Sequence, residues 1–96
     1  MMVLVTYDVS TETEEGKKRL RHVAKKCEDY GQRVQNSVFE CIIDSARLKL
    51  LQAALIEIIE PTEDSLRFYF LGDDSRHRVE HFGAKPSINL EGTLIS

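Results

Sequence analysis

Hydrophobic and polar residues alternate along the chain in patterns that predict a regular succession of strands and helices. A short β-branched and aromatic run at 3–7 predicts a buried strand, which ends at Asp8. Apolar residues recur with helical spacing from Leu20 to Cys27 and predict a helix that runs to about Tyr30. This helix follows the first strand directly, as in α/β domains of small size.

Both ends of the first helix carry terminal signals. Thr11 and Glu14 fit a capping box, in which hydroxyl and carboxylate satisfy free backbone amides. Gly31 is expected to end the helix by adopting a positive φ.

The second half of the chain predicts a hairpin, a second helix and a fourth strand. Asn36 and Ser37 supply the hairpin turn, Asp44 or Ser45 caps the helix, and Pro61 marks its end. An additional short strand is expected after Gly72. The segments are 32–35, 38–43, 45 to about 59, 66–71 and 79–82.

This order predicts an α+β ferredoxin-like βαββαβ fold, with an antiparallel sheet and two helices on one face. We expect a single domain over residues 1–96, with a core at 1–83 and a C-terminal strand or tail at 84–96. Four apolar tail residues need a surface to cover, which we expect to be a dimer partner or, as the alternative, another protein; they are Ile88, Leu90, Leu94 and Ile95.

Composition narrows the class of protein. No stretch is apolar for about 18 residues, as a membrane span requires, and no signal peptide is apparent, so we expect a cytoplasmic protein. Cys27 and Cys41 are expected to be reduced and buried. The net charge of -3 argues against nucleic-acid binding, but six of the 13 Lys and Arg residues lie between Lys17 and Lys26.

Asp8 ends an otherwise apolar strand, and two interpretations are open. It can cap the following turn, or it can bind a metal ion at the strand end. Mg²⁺ takes one or two carboxylates, so a lone Asp8 requires a second carboxylate, which a two-fold axis would supply from another subunit.

Basic and aromatic residues raise similar alternatives. Lys18, Arg21 and Lys25 share one face of the first helix, which is either a solvated face or a phosphate-binding surface. Phe39, beside Arg33 in the hairpin, either packs in the core or stacks on a base.

The remaining candidate residues give weaker signals. His77 and His81 lack a Cys or Glu partner at zinc-ligand spacing, and neither cysteine has the neighbours of a catalytic thiol.

Three features together resemble a known family. They are Tyr7-Asp8 at the end of the first strand, the basic first helix, and the sequence RVQNSVFE at 33–40. The chain resembles the Cas-two family, the small subunit of CRISPR spacer-acquisition machinery, and most closely the members from type I systems. The resemblance covers essentially the whole chain. It implies a ferredoxin-like homodimer with site residues at Tyr7, Asp8, Arg19, Arg21, Arg33 and Phe39.

The resemblance leaves two functional hypotheses. The first is an endonuclease that uses Mg²⁺, or Mn²⁺, held by Asp8 of both subunits, and that acts on duplex DNA in preference to single-stranded RNA. The second is a non-catalytic DNA-binding adaptor that bridges subunits of a CRISPR integrase. A more remote third hypothesis, a small-molecule regulatory domain, predicts ligand binding in the dimer cleft and no affinity for DNA.

Overall fold

The computed structural model describes residues 1–72 and 78–84. Nearly all of the predicted tail, together with His77, lies outside the described residues. The elements are β1 Met2–Asp8, α1 Glu14–Glu28, β2 Gln32–Gln35, β3 Val38–Ile42, α2 Ser45–Ile58, β4 Ser65–Leu71 and β5 Arg78–Gly83.

The strands form one antiparallel sheet in the order β2-β3-β1-β4-β5. β1 is flanked on both sides, because Val5 pairs with Phe39 of β3 and with Phe68 of β4. The two helices pack on the same side of this sheet, and their buried residues join the inward-facing strand residues in one core. This is the predicted ferredoxin-like arrangement, with β5 added beside β4.

Alternation along the strands divides the sheet into two faces. Val3, Val5 and Tyr7 of β1 are buried beneath the helices, whereas the residues between them point the other way. We call this other side the open face, since no element among the described residues covers it. It carries Leu4, Thr6, Asp8, Glu40, Ile42, Arg67, Tyr69, Val79 and His81.

The predicted hairpin, second helix and fourth strand are confirmed, and Asp44 is the cap of α2, accepting a hydrogen bond from Arg47 N at 2.8 Å. The predicted short strand is also confirmed, and pairing with β4 extends it by one residue at each end.

The capping box at Thr11 and Glu14 is wrong. The N-cap is Thr13, whose hydroxyl accepts from Gly16 N at 3.0 Å, and the helix begins at Glu14. A Cβ at Gly16 would clash with the carbonyl oxygen of Ser10. The chain at Ser10 therefore passes directly over the first turn of α1, which shifts the start of the helix beyond Thr11.

Gly31 follows the end of α1 as expected, but the expected positive φ is wrong. Among the described residues, positive φ occurs only at Gly83. A Cβ at Gly31 would lie 2.5 Å from both Cys41 Sγ and Glu40 O. Glycine is needed there because the chain leaving α1 runs tightly against β3.

Candidate functional site

Asp8 is the last residue of β1 and lies on the open face. The residue before it, Tyr7, points to the opposite face and is only 6% exposed, whereas Asp8 is exposed. Strand geometry thus separates two neighbours that the sequence presents as a pair. Across the β1–β4 ladder, Asp8 is opposite Ser65.

A shallow cavity of about 230 Å³ surrounds this strand end. Its lining combines one carboxylate, two hydroxyl side chains and one guanidinium, contributed by Asp8, Thr6, Ser65 and Arg67, together with Tyr7. Arg67 enters because it pairs with Thr6 across the ladder. The sequence analysis missed Arg67, although its polar position between Leu66 and Phe68 signals an outward-facing residue.

Arg67 is held in place by neutral partners. Its Nε donates to Nδ1 of His81 at 3.3 Å, and its guanidinium also donates to the Tyr69 hydroxyl at 3.5 Å. His81 Nε2 lies 3.3 Å from the carbonyl oxygen of Gly83. Because Nδ1 must accept from Arg67, the ring proton belongs on Nε2, where it is donated to Gly83.

Asp64 anchors the chain around the strand end. This fully buried carboxylate accepts from Ser10 N at 3.0 Å, from Glu60 N at 2.8 Å and from Arg19 Nε at 2.7 Å. Its backbone carbonyl accepts from Ala84 N at 2.8 Å. One residue therefore joins the loop after β1, the helix α1, the loop after α2 and the end of β5.

The ionisation of Asp64 reflects these contacts. Burial by itself would raise the pKa of the Asp64 carboxyl, but the hydrogen bonds from Arg19, Glu60 and Ser10 outweigh it and hold that pKa below its usual value.

Arg19 has a structural role in this arrangement. Its guanidinium is committed to Asp64 and also lies 3.4 Å from Glu63. Arg19 was expected, from the family resemblance, to be a phosphate-binding residue. In this protomer its guanidinium faces two carboxylates, which makes Arg19 part of the Asp64 anchor. Phosphate binding by Arg19 stays a prediction.

Phe39 is a core residue. It is fully buried, and its ring centroid lies 6.2 Å from that of Tyr7 in a stacked arrangement. The interpretation of Phe39 as a base-stacking residue is therefore wrong, because no part of the ring reaches solvent, and the core-packing alternative is correct.

Tyr7 and Arg33 both fasten the hairpin turn. The Tyr7 hydroxyl donates to Asn36 O at 3.3 Å, and burial raises the pKa of this phenol. Arg33 donates to the same carbonyl at 2.8 Å, lies 3.4 Å from Glu28, and covers the Phe39 ring with its guanidinium carbon 5.0 Å from the centroid. Arg33 is nevertheless exposed, so its outer edge is accessible to a ligand.

The basic residues of α1 lie on the helix side of the sheet, away from the open face. Lys18, Arg21 and Lys25 are exposed there. Arg21 and Arg33 line a cavity of about 410 Å³ between α1 and the hairpin turn. The structure thus brings Asp8 together with Arg67, and it brings Arg21 together with Arg33, but it places the two pairs on different faces.

Other sites can be assessed within the described residues. Among them, no group of three or more His, Cys, Asp or Glu residues is arranged to hold a metal ion. Cys27 and Cys41 are both free and buried, as predicted, and burial raises the pKa of Cys27 to about 12. A thiol so reluctant to ionise is unsuited to nucleophilic catalysis. No helix in the described part of the chain is long and apolar enough to cross a membrane.

Comparison with known proteins identifies close relatives. Residues 1–79 match the family described as CRISPR associated protein Cas2. The chain is 59% identical over 95 residues to a CRISPR-associated endonuclease Cas2 of Halalkalibacterium halodurans, covering 99% of each protein. It is also 59% identical over 95 residues to a CRISPR-associated endoribonuclease Cas2 of Chlorobaculum tepidum, again with 99% of each covered.

Solved structures agree with these relatives. The crystal structure of Streptococcus pyogenes Cas2 at pH 6.5 superposes with a TM-score of 0.71 and 62% identity, covering 77% of this chain and 89% of that one. A hypothetical protein from Thermus thermophilus gives a TM-score of 0.66 at 31% identity, with 74% and 80% covered.

Proposed function

Because the chain belongs to the CRISPR-associated Cas2 family, we propose that it is an endonuclease that hydrolyses nucleic-acid phosphodiesters with a divalent metal. The observation that carries this proposal is the exposed carboxylate of Asp8, set in a cavity lined by hydroxyl groups and a guanidinium. We further propose that it prefers duplex DNA to single-stranded RNA and takes part in spacer acquisition, acting in the cytoplasm.

The residues of one protomer meet part of what Mg²⁺ or Mn²⁺ requires. Mg²⁺ keeps several waters and takes one or two carboxylates plus phosphate oxygens. One protomer supplies Asp8 from the cavity, and the hydroxyls of Thr6 and Ser65 can hydrogen-bond to metal-bound water. A second carboxylate would come from Asp8 of another copy in the proposed homodimer, which we place across the apolar part of the open face, with the two Asp8 cavities at its edge.

Apolar residues on the open face support this dimer. Ile42 is 73% exposed and Val79 is 36% exposed, on a sheet face that also presents Leu4. Burying such residues against a second copy removes apolar area from water. In the same dimer, we propose that the tail at 84–96 packs on the partner protomer.

The chain's own residues then have defined tasks. When bound, the metal supplies a Lewis acid and an activated water. Asp8 would hold it at the strand end, and the Asp64 anchor keeps the loop beginning at Ser10 in place behind Asp8. Backbone phosphates outside the cleavage site bind to exposed basic residues, which are Lys18, Arg21, Lys25 and Arg33.

A second candidate function is a non-catalytic adaptor that holds DNA and binds integrase subunits. The separation of the basic α1 surface from Asp8 favours it, because DNA lying along α1 would not reach the open face of the same protomer. A single carboxylate per protomer is also a sparse set of ligands for a nuclease.

The test compares wild-type protein with Asp8→Asn, using duplex DNA and single-stranded RNA, with Mg²⁺, with Mn²⁺ and with chelator. We expect Asp8→Asn to lose metal-dependent cleavage and to retain DNA binding, since phosphate contacts come from Lys and Arg. Asp29→Asn is the matched control, because it neutralises another exposed aspartate, one that lies 3.9 Å from Lys26.

Equal residual cleavage by wild-type and Asp8→Asn proteins would contradict the nuclease proposal and point to a contaminating enzyme. Unchanged spacer integration by Asp8→Asn in a reconstituted complex would favour the adaptor.

A further inference from the structure

We propose that Arg67 is a second catalytic residue of the Asp8 cavity, where its guanidinium binds the phosphate group of the nucleic acid that is cleaved. This inference rests on the proposed function and adds to it a residue outside the motifs at 7–8, 17–26 and 33–40.

The position of Arg67 places it in the cavity by strand register. Thr6 of β1 pairs with Arg67 of β4, and Asp8 pairs with Ser65, so the four residues form adjacent rows on one face of two neighbouring strands. All four line the same cavity of about 230 Å³. Asp8 and Arg67 are therefore diagonal neighbours on this face, and the long Arg67 side chain can reach a phosphate group that binds beside Asp8.

The orientation of Arg67 is set by the adjacent strand. Its Nε donates to His81 Nδ1 at 3.3 Å, and the other ring nitrogen of His81 lies 3.3 Å from Gly83 O. The Tyr69 hydroxyl, at 3.5 Å from a terminal guanidinium nitrogen, supports the side chain from the same strand. These contacts pre-organise the guanidinium and leave donors on its terminal nitrogens for a ligand.

The partners of Arg67 distinguish it from three other oriented arginines. Arg19, Arg33 and Arg78 each lie within 3.5 Å of a carboxylate. Within the parts of the chain that the structure describes, the partners of Arg67 are a neutral imidazole and a hydroxyl. An oriented guanidinium whose described partners are neutral is suited to an anion from another molecule, and phosphate oxygens match its fork.

The chemistry assigned to Arg67 is charge stabilisation without proton transfer. Phosphodiester hydrolysis builds negative charge on the non-bridging oxygens as water adds and the leaving oxygen departs. Donors fixed in advance at those oxygens lower the barrier more than mobile donors do. The proton of the attacking water goes to solvent or to another base.

The first experiment measures single-turnover cleavage at saturating duplex DNA with Mg²⁺ for Arg67→Gln and Arg67→Lys. We expect Arg67→Gln to lower the rate by about 100-fold, as for loss of one oriented transition-state donor. Arg67→Lys keeps the charge but loses the planar fork, so its rate should be intermediate. Arg78→Gln is the matched control, because it removes the same charge from β5, where the side chain packs on Phe70, and it should cleave like wild type.

The second experiment measures duplex binding without metal in the Asp8→Asn background, where cleavage plays no part. If Arg67 neutralises one phosphate, Arg67→Gln should reduce the slope of log affinity against log salt by about 0.9. Sedimentation of the same variants reports whether the dimer persists. If Arg67→Gln does not fold, Arg67→Lys provides the test. An intermediate cleavage rate with an unchanged salt slope would support the proposal, and a wild-type cleavage rate would contradict it.

The outcomes separate this inference from the proposed function. Wild-type rates for Arg67→Gln, with Asp8→Asn inactive, would overturn the role of Arg67 and leave the nuclease proposal standing. An unchanged salt slope with loss of the dimer would overturn it too, by showing that Arg67 contributes to the dimer interface and not to a phosphate site. Full cleavage by Asp8→Asn would instead overturn the proposed function, while the salt slope still tests Arg67 as a phosphate ligand.

Discussion

The two faces of the sheet differ in burial and in the residue types that they carry. On the helix side, inward residues such as Val5, Phe39 and Phe68 are fully buried in one core shared with α1 and α2. On the open face, the intervening positions mix apolar residues such as Ile42 with charged ones such as Asp8 and Arg67. One face is satisfied within the protomer, whereas the other presents groups suited to another molecule.

This difference reassigns residues that sequence motifs had grouped together. Tyr7 and Asp8 are neighbours, yet one fastens the hairpin turn from the core side and the other lies in the open-face cavity. Arg19 and Arg21 are two positions apart on α1, yet one anchors Asp64 and the other is exposed. Residues that are neighbours in the family motifs therefore divide between those that hold the fold and those that are exposed.

The largest expected effect is on the buried face. Phe39→Ala should destabilise the protein by about 3–5 kcal/mol, the usual cost of removing a buried aromatic ring. Urea denaturation followed by circular dichroism measures this destabilisation, with Val34→Ala on the neighbouring strand as the control, since Val34 is 49% exposed. A stable Phe39→Ala protein with weakened DNA binding would restore the base-stacking interpretation.

The next effect concerns the Asp64 anchor, which joins the two halves of the chain behind the site. Asp64→Ala should cost about 3 kcal/mol, because it leaves Arg19 without its buried partner. The pKa of the Asp64 carboxyl is lowered in the folded protein. The ionised carboxylate therefore contributes its full stabilisation at pH values above the pKa that this group has in the unfolded chain. This stability is lost as pH falls below about 4.

Denaturation of the wild type and of Asp64→Ala between neutral and acidic pH measures this contribution. The stability difference between them should shrink as the carboxyl protonates. A difference that stays constant down to the acid limit would show that Asp64 acts through packing alone. Asp29→Ala, which changes an exposed aspartate, should match the wild type throughout.

The third effect tests the open face as a dimer surface. Ile42→Asp should raise the dimer dissociation constant by about tenfold or more, because it places a carboxylate in an apolar contact. Leu50→Asp is the control, since Leu50 is 61% exposed but lies on α2, on the other side of the sheet. Analytical ultracentrifugation at micromolar concentration distinguishes the two, and equal dimerisation of both variants would place the interface elsewhere.

The smallest change in stability is expected on the basic surface of α1. Replacing Lys18, Arg21 and Lys25 by Ala should alter the free energy of unfolding by no more than about 0.5 kcal/mol. The salt slope of duplex binding should fall by about 0.9 for each phosphate that is no longer neutralised. Arg19→Ala should do the reverse, because it should lower the melting temperature and leave the salt slope unchanged. If Arg19→Ala instead lowers the salt slope as the replacement of the exposed α1 residues does, Arg19 is also a phosphate-binding residue.

Much of the fold could be predicted because hydrophobic periodicity reports which side of an element is buried. The alternation in β1 and the helical spacing from Leu20 to Cys27 identified the core-facing residues. The errors came where two distant segments meet. Ser10 passes over Gly16 where α1 begins, with Thr13 and not Thr11 as the N-cap. β3 lies against Gly31, which explains that glycine without a positive φ.

Only those features of the candidate site that depend on single residues or on local sequence could be predicted. A carboxylate at the end of an apolar strand made Asp8 a candidate metal ligand from the sequence alone, and a cluster of basic residues made α1 a candidate phosphate-binding helix. Both roles stay predictions. Which arginine faces which acid could not be read from the sequence, because the charge on Arg19 looks the same whether it meets Asp64, 45 positions away, or solvent. Strand register and helix packing decide that question.

The sequence by itself thus determined the order of elements, the buried side of each and the residue types available for chemistry. Tertiary structure alone decided that Arg67 joins Asp8 in one cavity, that Arg19 is bound to Asp64, and that Phe39 is enclosed in the core. The physical reason is that periodicity is a local property of the chain. Pairing between β1 and β4, by contrast, joins residues about 60 positions apart, such as Thr6 and Arg67, whose proximity leaves no mark on local spacing.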